Sequence, residues 1–162
     1  MRVSEIMSQP AVTCPVDAAL DAGARLMWEF DCGLVLVVGD DGRLAGIVTD
    51  RDICLAAYMH HKPLHLIPLA KAMVKPVIAV HVDDDVQSAA GLMRDNRIRR
   101  LAVTDAAARP VGVVSVDDLA QAALRLDGTE ERERDHDLVQ TLAAVSAPRS
   151  RTPMPRPLVP TP

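Results

Sequence analysis

The chain has 162 residues, enough for one compact unit or two small ones, and 49% of them are apolar, as in globular proteins. A formal net charge of −4 gives no basic field for nucleic acid or anionic lipid, and an aromatic content of 2% argues against base-stacking surfaces. No apolar run reaches the ~18 residues of a membrane span, and no charged-then-apolar signal segment opens the chain, so a soluble cytoplasmic protein is expected.

The elements come twice. Residues 3–57 lie over residues 69–123 without a gap, at a constant shift of 66. Met7 falls on Met73, Pro10 on Pro76, Asp17 on Asp83, Met27 on Met93, Gly46 on Gly112 and Asp52 on Asp118. A single copy of about 55 residues would bury too little surface to be comfortably stable alone. The pair is therefore the expected folding unit. Two copies suit two halves packed face to face around a pseudo-twofold axis, with paired sites at their junction.

Each repeat reads β-α-β-β-α, an α/β class. Ala11 to Cys14 is a short apolar run after Pro10, hence a strand. Asp17 is placed to cap a helix whose apolar positions, Leu20, Ala24, Met27 and Trp28, keep a helical period. Leu34 to Val38 is a continuous aliphatic run, a buried strand. Gly39-Asp40-Asp41-Gly42 is hairpin turn chemistry. Leu44 to Val48 returns as a strand and Thr49 starts the second helix. In the second repeat the strands are 77–80, 101–104 and 111–114, with helices over 83–96 and from Ser115.

Repeat 1 thus spans 1–57 and repeat 2 spans 69–126. Between them residues 58–68, with Tyr58, His60, His61, Lys62, Pro63 and Pro68, read as a connector. Residues 127–147 hold an acidic stretch, Asp127 to Asp137, and an amphipathic helix marked by Leu138, Leu142 and Val145. That helix is expected to dock on the module or on another subunit. Residues 148–162, rich in Pro with Arg149, Arg151 and Arg156, read as a disordered tail. Cys14, Cys32 and Cys54 are odd in number and form no CxxC, which predicts reduced thiols, small and buried. No recognised metal-ligand spacing joins them to His60, His61 or His65.

The chemistry concentrates where each repeat closes. Gly46-Ile47-Val48-Thr49-Asp50-Arg51-Asp52 is matched by Gly112-Val113-Val114-Ser115-Val116-Asp117-Asp118. A strand gives way to a helix at Thr49 and at Ser115, where backbone N–H groups favour anions. The hydroxyl adds a donor for a phosphate oxygen. The carboxylates of Asp52 and Asp118 have acceptors that suit vicinal ribose hydroxyls. Gly46 and Gly112 allow close approach. The same Thr/Ser-x-x-Asp also reads as a helix capping box, although Asp reaches back less well than Glu. The two roles are compatible.

With these residues in view, the chain resembles a tandem pair of CBS domains, a Bateman module, over roughly residues 1–125. The Met-x-x-Pro openings (Met7 to Pro10, Met73 to Pro76) and the duplicated Gly-x-x-[Thr/Ser]-x-x-Asp close carry the resemblance. It implies two repeats packed through their sheets, with two clefts for adenosine-containing ligands: AMP, ADP, ATP, S-adenosylmethionine, sometimes NAD. It implies ribose contacts from Asp52 and Asp118 and phosphate contacts from Thr49 and Ser115. An adenine pocket would be lined by Val12, Thr13 and Cys14 and by Ile78, Ala79 and Val80. Arg99 and Arg100, just before the middle strand, would meet phosphate. The family's Pro in the middle strand is replaced by Leu36 and Ala102, and Val116 stands where the first repeat has Asp50.

The expected function is a regulatory sensor needing no cofactor, with an adenine nucleotide as its regulatory ligand and a separate regulated protein. The alternative is a structural, oligomerising module that binds no nucleotide. No nucleophile–base pair, metal motif or Walker-type loop points to an enzyme, and no helix-turn-helix pattern points to DNA. A homodimer is expected through helix faces marked by Met27 and Met93. The cleft of Ser115 and Asp118 is expected to hold Arg99 and Arg100 and to prefer the more phosphorylated ligands.

Overall fold

The computed structural model describes residues 1–124 and 131–146. The aliphatic runs build two three-stranded sheets. The first holds β1 (Thr13–Pro15), β2 (Leu34–Val38) and β3 (Leu44–Thr49), and the second β4 (Ala79–His81), β5 (Arg100–Thr104) and β6 (Pro110–Ser115). In both, the middle strand pairs parallel with the first strand and antiparallel with the third. Helices α1 (Leu20–Glu29) and α2 (Asp50–His60) belong to the first repeat, and α3 (Val86–Asn96) and α4 (Val116–Leu124) to the second.

Alternation along β2 explains its unbroken apolar run. Val35 and Val37 enter a core with Leu20, Met27, Val48, Ile53 and Ala56. Leu34 and Leu36 face the other way and meet Ala102 of β5 in a separate buried cluster between the sheets. The positions that lack the expected Pro are therefore fully buried at the centre of the repeat interface.

Each core is completed by a segment from outside its own repeat. Val3 sits in the second repeat's core, where its N–H donates to the Asp84 carbonyl at 2.9 Å. Ile67 and Leu69 fill the first repeat's core, and the Leu69 N–H donates to the Ala18 carbonyl at 2.8 Å. The residues read as a connector therefore do more than connect. Tyr58 to His60 end α2, and Ile67 is 1% exposed.

This crossing moves both helix starts. Asp17 does not cap α1, whose N-cap is Ala19 with no side-chain bond. The chain stays extended until Ala19 has bridged Pro68 and Leu20 has donated to the Ile67 carbonyl at 2.9 Å. In the second repeat the cap is Asp85, which accepts from the Ser88 N–H at 2.6 Å and bridges Arg2. Asp83, expected to open that helix, instead pairs with Arg2 at 3.1 Å.

Helix α5 (Glu131–Ser146) packs on α3 and α4, with Leu138 and Val145 against the second core. Residues 127–130 of the acidic stretch and the whole Pro-rich tail, 148–162, lie outside the described residues. No described helix is long and apolar enough to cross a membrane.

Candidate functional site

The capping boxes form in both repeats. Asp52 Oδ2 accepts from the Thr49 N–H at 2.9 Å and from the Thr49 hydroxyl at 2.6 Å, while the Asp52 N–H donates to Thr49 Oγ1 at 3.3 Å. Asp118 and Ser115 repeat this at 2.8, 2.6 and 3.2 Å. The expectation that Asp reaches back poorly is corrected. The hydroxyl lies so near the carboxylate that the shorter side chain suffices. Both bonds fall on Oδ2, leaving Oδ1 of each aspartate without a hydrogen bond among the described residues.

A cleft of about 240 Å³ opens beside Ser115 and Asp118. The first repeat contributes Ser8, Pro10, Val12, Asp31, Cys32, Gly33 and Leu34, and the second contributes Arg100, Val113, Ser115 and Asp118. Two backbone bonds between Ser8 and Val113, of 2.9 and 3.0 Å, hold the Pro10 approach against β6. Arg100 lies opposite Ser115 in the β5–β6 ladder. Gly33 leaves room beside it: a Cβ there would stand 3.7 Å from Asp50 Oδ2 and 3.9 Å from Arg100 Nη1. A second hollow of about 290 Å³, lined by Glu5, Ile6, Met7, Asp118, Gln121 and Ala122, adjoins Asp118 on its other flank.

Of the residues singled out from sequence, this cleft unites Val12, Arg100, Ser115 and Asp118. Arg99 does not line it; its carbonyl accepts from the Val116 N–H at 3.0 Å, as that of Gly33 does from the Asp50 N–H at 3.3 Å. Thr49 and Asp52 hold the twofold-equivalent place. Thr13 is exposed, whereas Cys14 and Val80 are turned into the first and second cores. Ile78 packs on the second core and Ala79 on the cluster between the sheets. The sequence reading missed Ser8 and Asp31 to Gly33. Their signal was the shift of 66, which sets Asp31 to Leu34 over the basic segment Arg97 to Arg100.

The cysteines are not uniformly buried. Cys14 is buried, Cys32 is half-buried with its thiol donating to the Leu34 carbonyl at 3.2 Å, and Cys54 is exposed. Burial pushes the Cys14 thiol up from its ordinary pKa. Among the described residues no cluster of His, Cys, Asp and Glu is arranged to hold a metal ion.

Two sheets joined back to back through β2 and β5, crossed opening segments and twin caps at the sheet–helix junctions define a tandem repeat module with clefts between its halves. The CBS domain model matches residues 3–58 and 69–125, and the chain belongs to that family. An uncharacterized protein of Methanopyrus kandleri is 30% identical over 132 residues, 81% of this chain and 67% of that protein. A CBS domain protein from Pyrobaculum aerophilum, solved with AMP, superposes with a TM-score of 0.69 at 29% identity, covering 82% of this chain and 99% of that one. The CBS domain pair of a protein solved with 5′-methylthioadenosine and S-adenosylmethionine gives 0.67 at 26% identity, covering 75% and 94%.

Proposed function

We propose that this chain is a regulatory sensor. It binds adenosine-containing ligands, AMP, ADP or ATP or else S-adenosylmethionine or NAD, in the clefts between its CBS repeats, and signals occupancy to another protein. The observation that carries this reading is the cleft itself, where Pro10 and Val12 of one repeat face Ser115, Asp118 and Arg100 of the other. A ligand held there touches both repeats, so it favours whichever arrangement of the halves binds it better. The related structures with AMP and with S-adenosylmethionine support the ligand class.

In this reading the ribose meets Oδ1 of Asp118 or Asp52, the oxygen that the cap leaves open. The Ser115 and Thr49 hydroxyl protons are committed to the carboxylates. A phosphate therefore relies on helix-start N–H groups and arginine, or displaces the cap. No cofactor and no catalysis are assigned. The exposed apolar side chains on α1 and α2 support a homodimer.

Calorimetric titration of the purified chain with AMP, ADP, ATP, S-adenosylmethionine and NAD tests the proposal. At least one should bind saturably. A folded Asp52→Ala/Asp118→Ala variant should lose about tenfold or more in affinity, since a charged hydrogen bond is worth about 1.5–3 kcal/mol. Unchanged affinity in that variant would remove the aspartates from the site. Silence with all five ligands would favour the second reading, a structural module, which the caps themselves support because both aspartates already serve the fold.

A further inference from the structure

The positions equivalent to those around the Asp118 cleft carry the opposite charge. Around the Asp118 cleft stand Asp31 and Asp118 in the lining, Asp50 at its rim beside Gly33, and Glu5 on the adjoining flank; Arg100 alone opposes them. The shift of 66 replaces Glu5 by Lys71, Asp31 by Arg97, Gly33 by Arg99 and Asp50 by Val116, while Asp118 becomes Asp52.

The substitution is meaningful only if the halves are equivalent in space, and reciprocal contacts show that they are. Met7 lies over Gly112 and Met73 over Gly46. Ser8 bridges Val113 and Val74 bridges Ile47. The Val116 N–H bonds Arg99 as the Asp50 N–H bonds Gly33. Arg99, the equivalent of Gly33, thus belongs beside Thr49 and Asp52, and Arg100, the equivalent of Leu34, stands between the two places.

We propose, building on the sensor reading, that the clefts take ligands of opposite charge. The Asp52 cleft takes a nucleoside polyphosphate, and the Asp118 cleft takes an adenosine-type nucleoside whose 5′ substituent is neutral or cationic. Arginine and lysine at 71, 97 and 99 match phosphate oxygens and stay charged at working pH. In the other cleft Asp31 and Asp50 compete with any phosphate for Arg100, and four carboxylates repel it. The same carboxylates favour a sulfonium or ammonium group.

Calorimetry on the full chain with ATP, S-adenosylmethionine and adenosine tests this, each variant first checked for folding by its circular dichroism melt. Asp52→Ala should weaken ATP about tenfold or more and spare S-adenosylmethionine, and Asp118→Ala should do the reverse. Arg99→Gly should weaken ATP about tenfold, reduce its salt dependence and leave S-adenosylmethionine unchanged. Asp31→Arg with Asp50→Val should create a second ATP equivalent. ATP binding lost in Asp118→Ala but kept in Asp52→Ala would overturn the assignment while leaving the sensor reading intact. ATP binding with no S-adenosylmethionine or adenosine binding would overturn the pairing of ligands. Failure of all three ligands to bind would overturn the sensor reading and this inference together.

Discussion

Met7 lies across Gly112, so that a Cβ on the glycine would stand 2.9 Å from the methionine sulfur and 2.7 Å from the Ser8 carbonyl oxygen. At the equivalent contact, the three atoms nearest to a Cβ on Gly46 all belong to the Met73 side chain, with its sulfur at 2.7 Å. A flexible thioether gives way more readily than a backbone that is itself bonded to Val113. Gly112→Ala should therefore destabilise by about 3 kcal/mol and Gly46→Ala by about 1 kcal/mol, the range of overpacked cores. Urea unfolding of the two variants checks the order, and equal losses would contradict it.

The two hairpin turns place different residues at an equivalent left-handed position. Gly42 adopts φ +74° and Ala108, its equivalent, φ +59°. An L-residue in the left-handed region costs roughly 1–2 kcal/mol, and Gly returns about 0.4–1 kcal/mol through unfolded-chain entropy. Ala108→Gly should accordingly stabilise by about 0.5 kcal/mol, and Gly42→Ala should destabilise by a similar amount. The nearest atom to a Cβ on Gly42 is Arg109 Nε at 3.9 Å, so the effect there is conformational and not steric. Thermal melts that moved in the opposite directions would refute the argument.

What was legible in the sequence was local or periodic. β2 was read at its true bounds because an aliphatic run buried on both faces has one interpretation once the turn after it is recognised. The starts of α1 and α3 were misread because distant chain decides them. Ile67 and Pro68 hold Ala19 and Leu20, and Met1 and Arg2 hold Val86 and Asp85. No local propensity encodes that crossing. Thr49, Asp52, Ser115 and Asp118 stood out because their chemistry is duplicated. Asp31 and Gly33 did not, since a helix-end aspartate and a glycine look like ordinary loop residues. Arg99 and Arg100 were assigned to the Asp118 cleft because adjacency in sequence does not say which half each residue faces; of the two only Arg100 lines it.

The thiols should report on the fold directly. Cys54 is exposed and Cys32 is half-buried, whereas Cys14 is 1% exposed. A maleimide should modify Cys54 first, Cys32 more slowly and Cys14 only on unfolding. Burial raises the folded Cys14 pKa above the unfolded value, ordinarily 9.0. Its contribution to stability is then fully present below the unfolded value and is lost as pH rises through the folded one. Urea midpoints of the parent protein should fall more steeply in that alkaline window than those of Cys14→Ala. Equal labelling rates at Cys14 and Cys54 would be inconsistent with this core.

The last prediction concerns the uncovered side of the first repeat. Met27 and Met93, expected from sequence to form an association surface, are 8% and 0% exposed and belong to the cores, because their helical faces are turned toward the sheets. Trp28 at 88%, Phe30, Leu55, Tyr58 and Met59 instead gather exposed apolar surface on or next to α1 and α2, with Val139 and Leu142 exposed on α5. In the second repeat Arg94 and Asn96 stand where the first has Trp28 and Phe30, and α5 packs on α3 and α4. Among the described residues, one helical side thus carries a covering helix and the other does not. A large aromatic residue buries about 150–250 Å² on association, and the same patch on two copies suits an isologous twofold contact. Sedimentation should give twice the chain mass, and Trp28→Asp with Met59→Asp should give a monomer with its urea midpoint little changed. Trp28 is the chain's one tryptophan, so its emission should shift to the red on dilution through the dimer dissociation constant. A parent protein that stays monomeric at high micromolar concentration, or a dimer indifferent to both substitutions, would rule out this face as the contact.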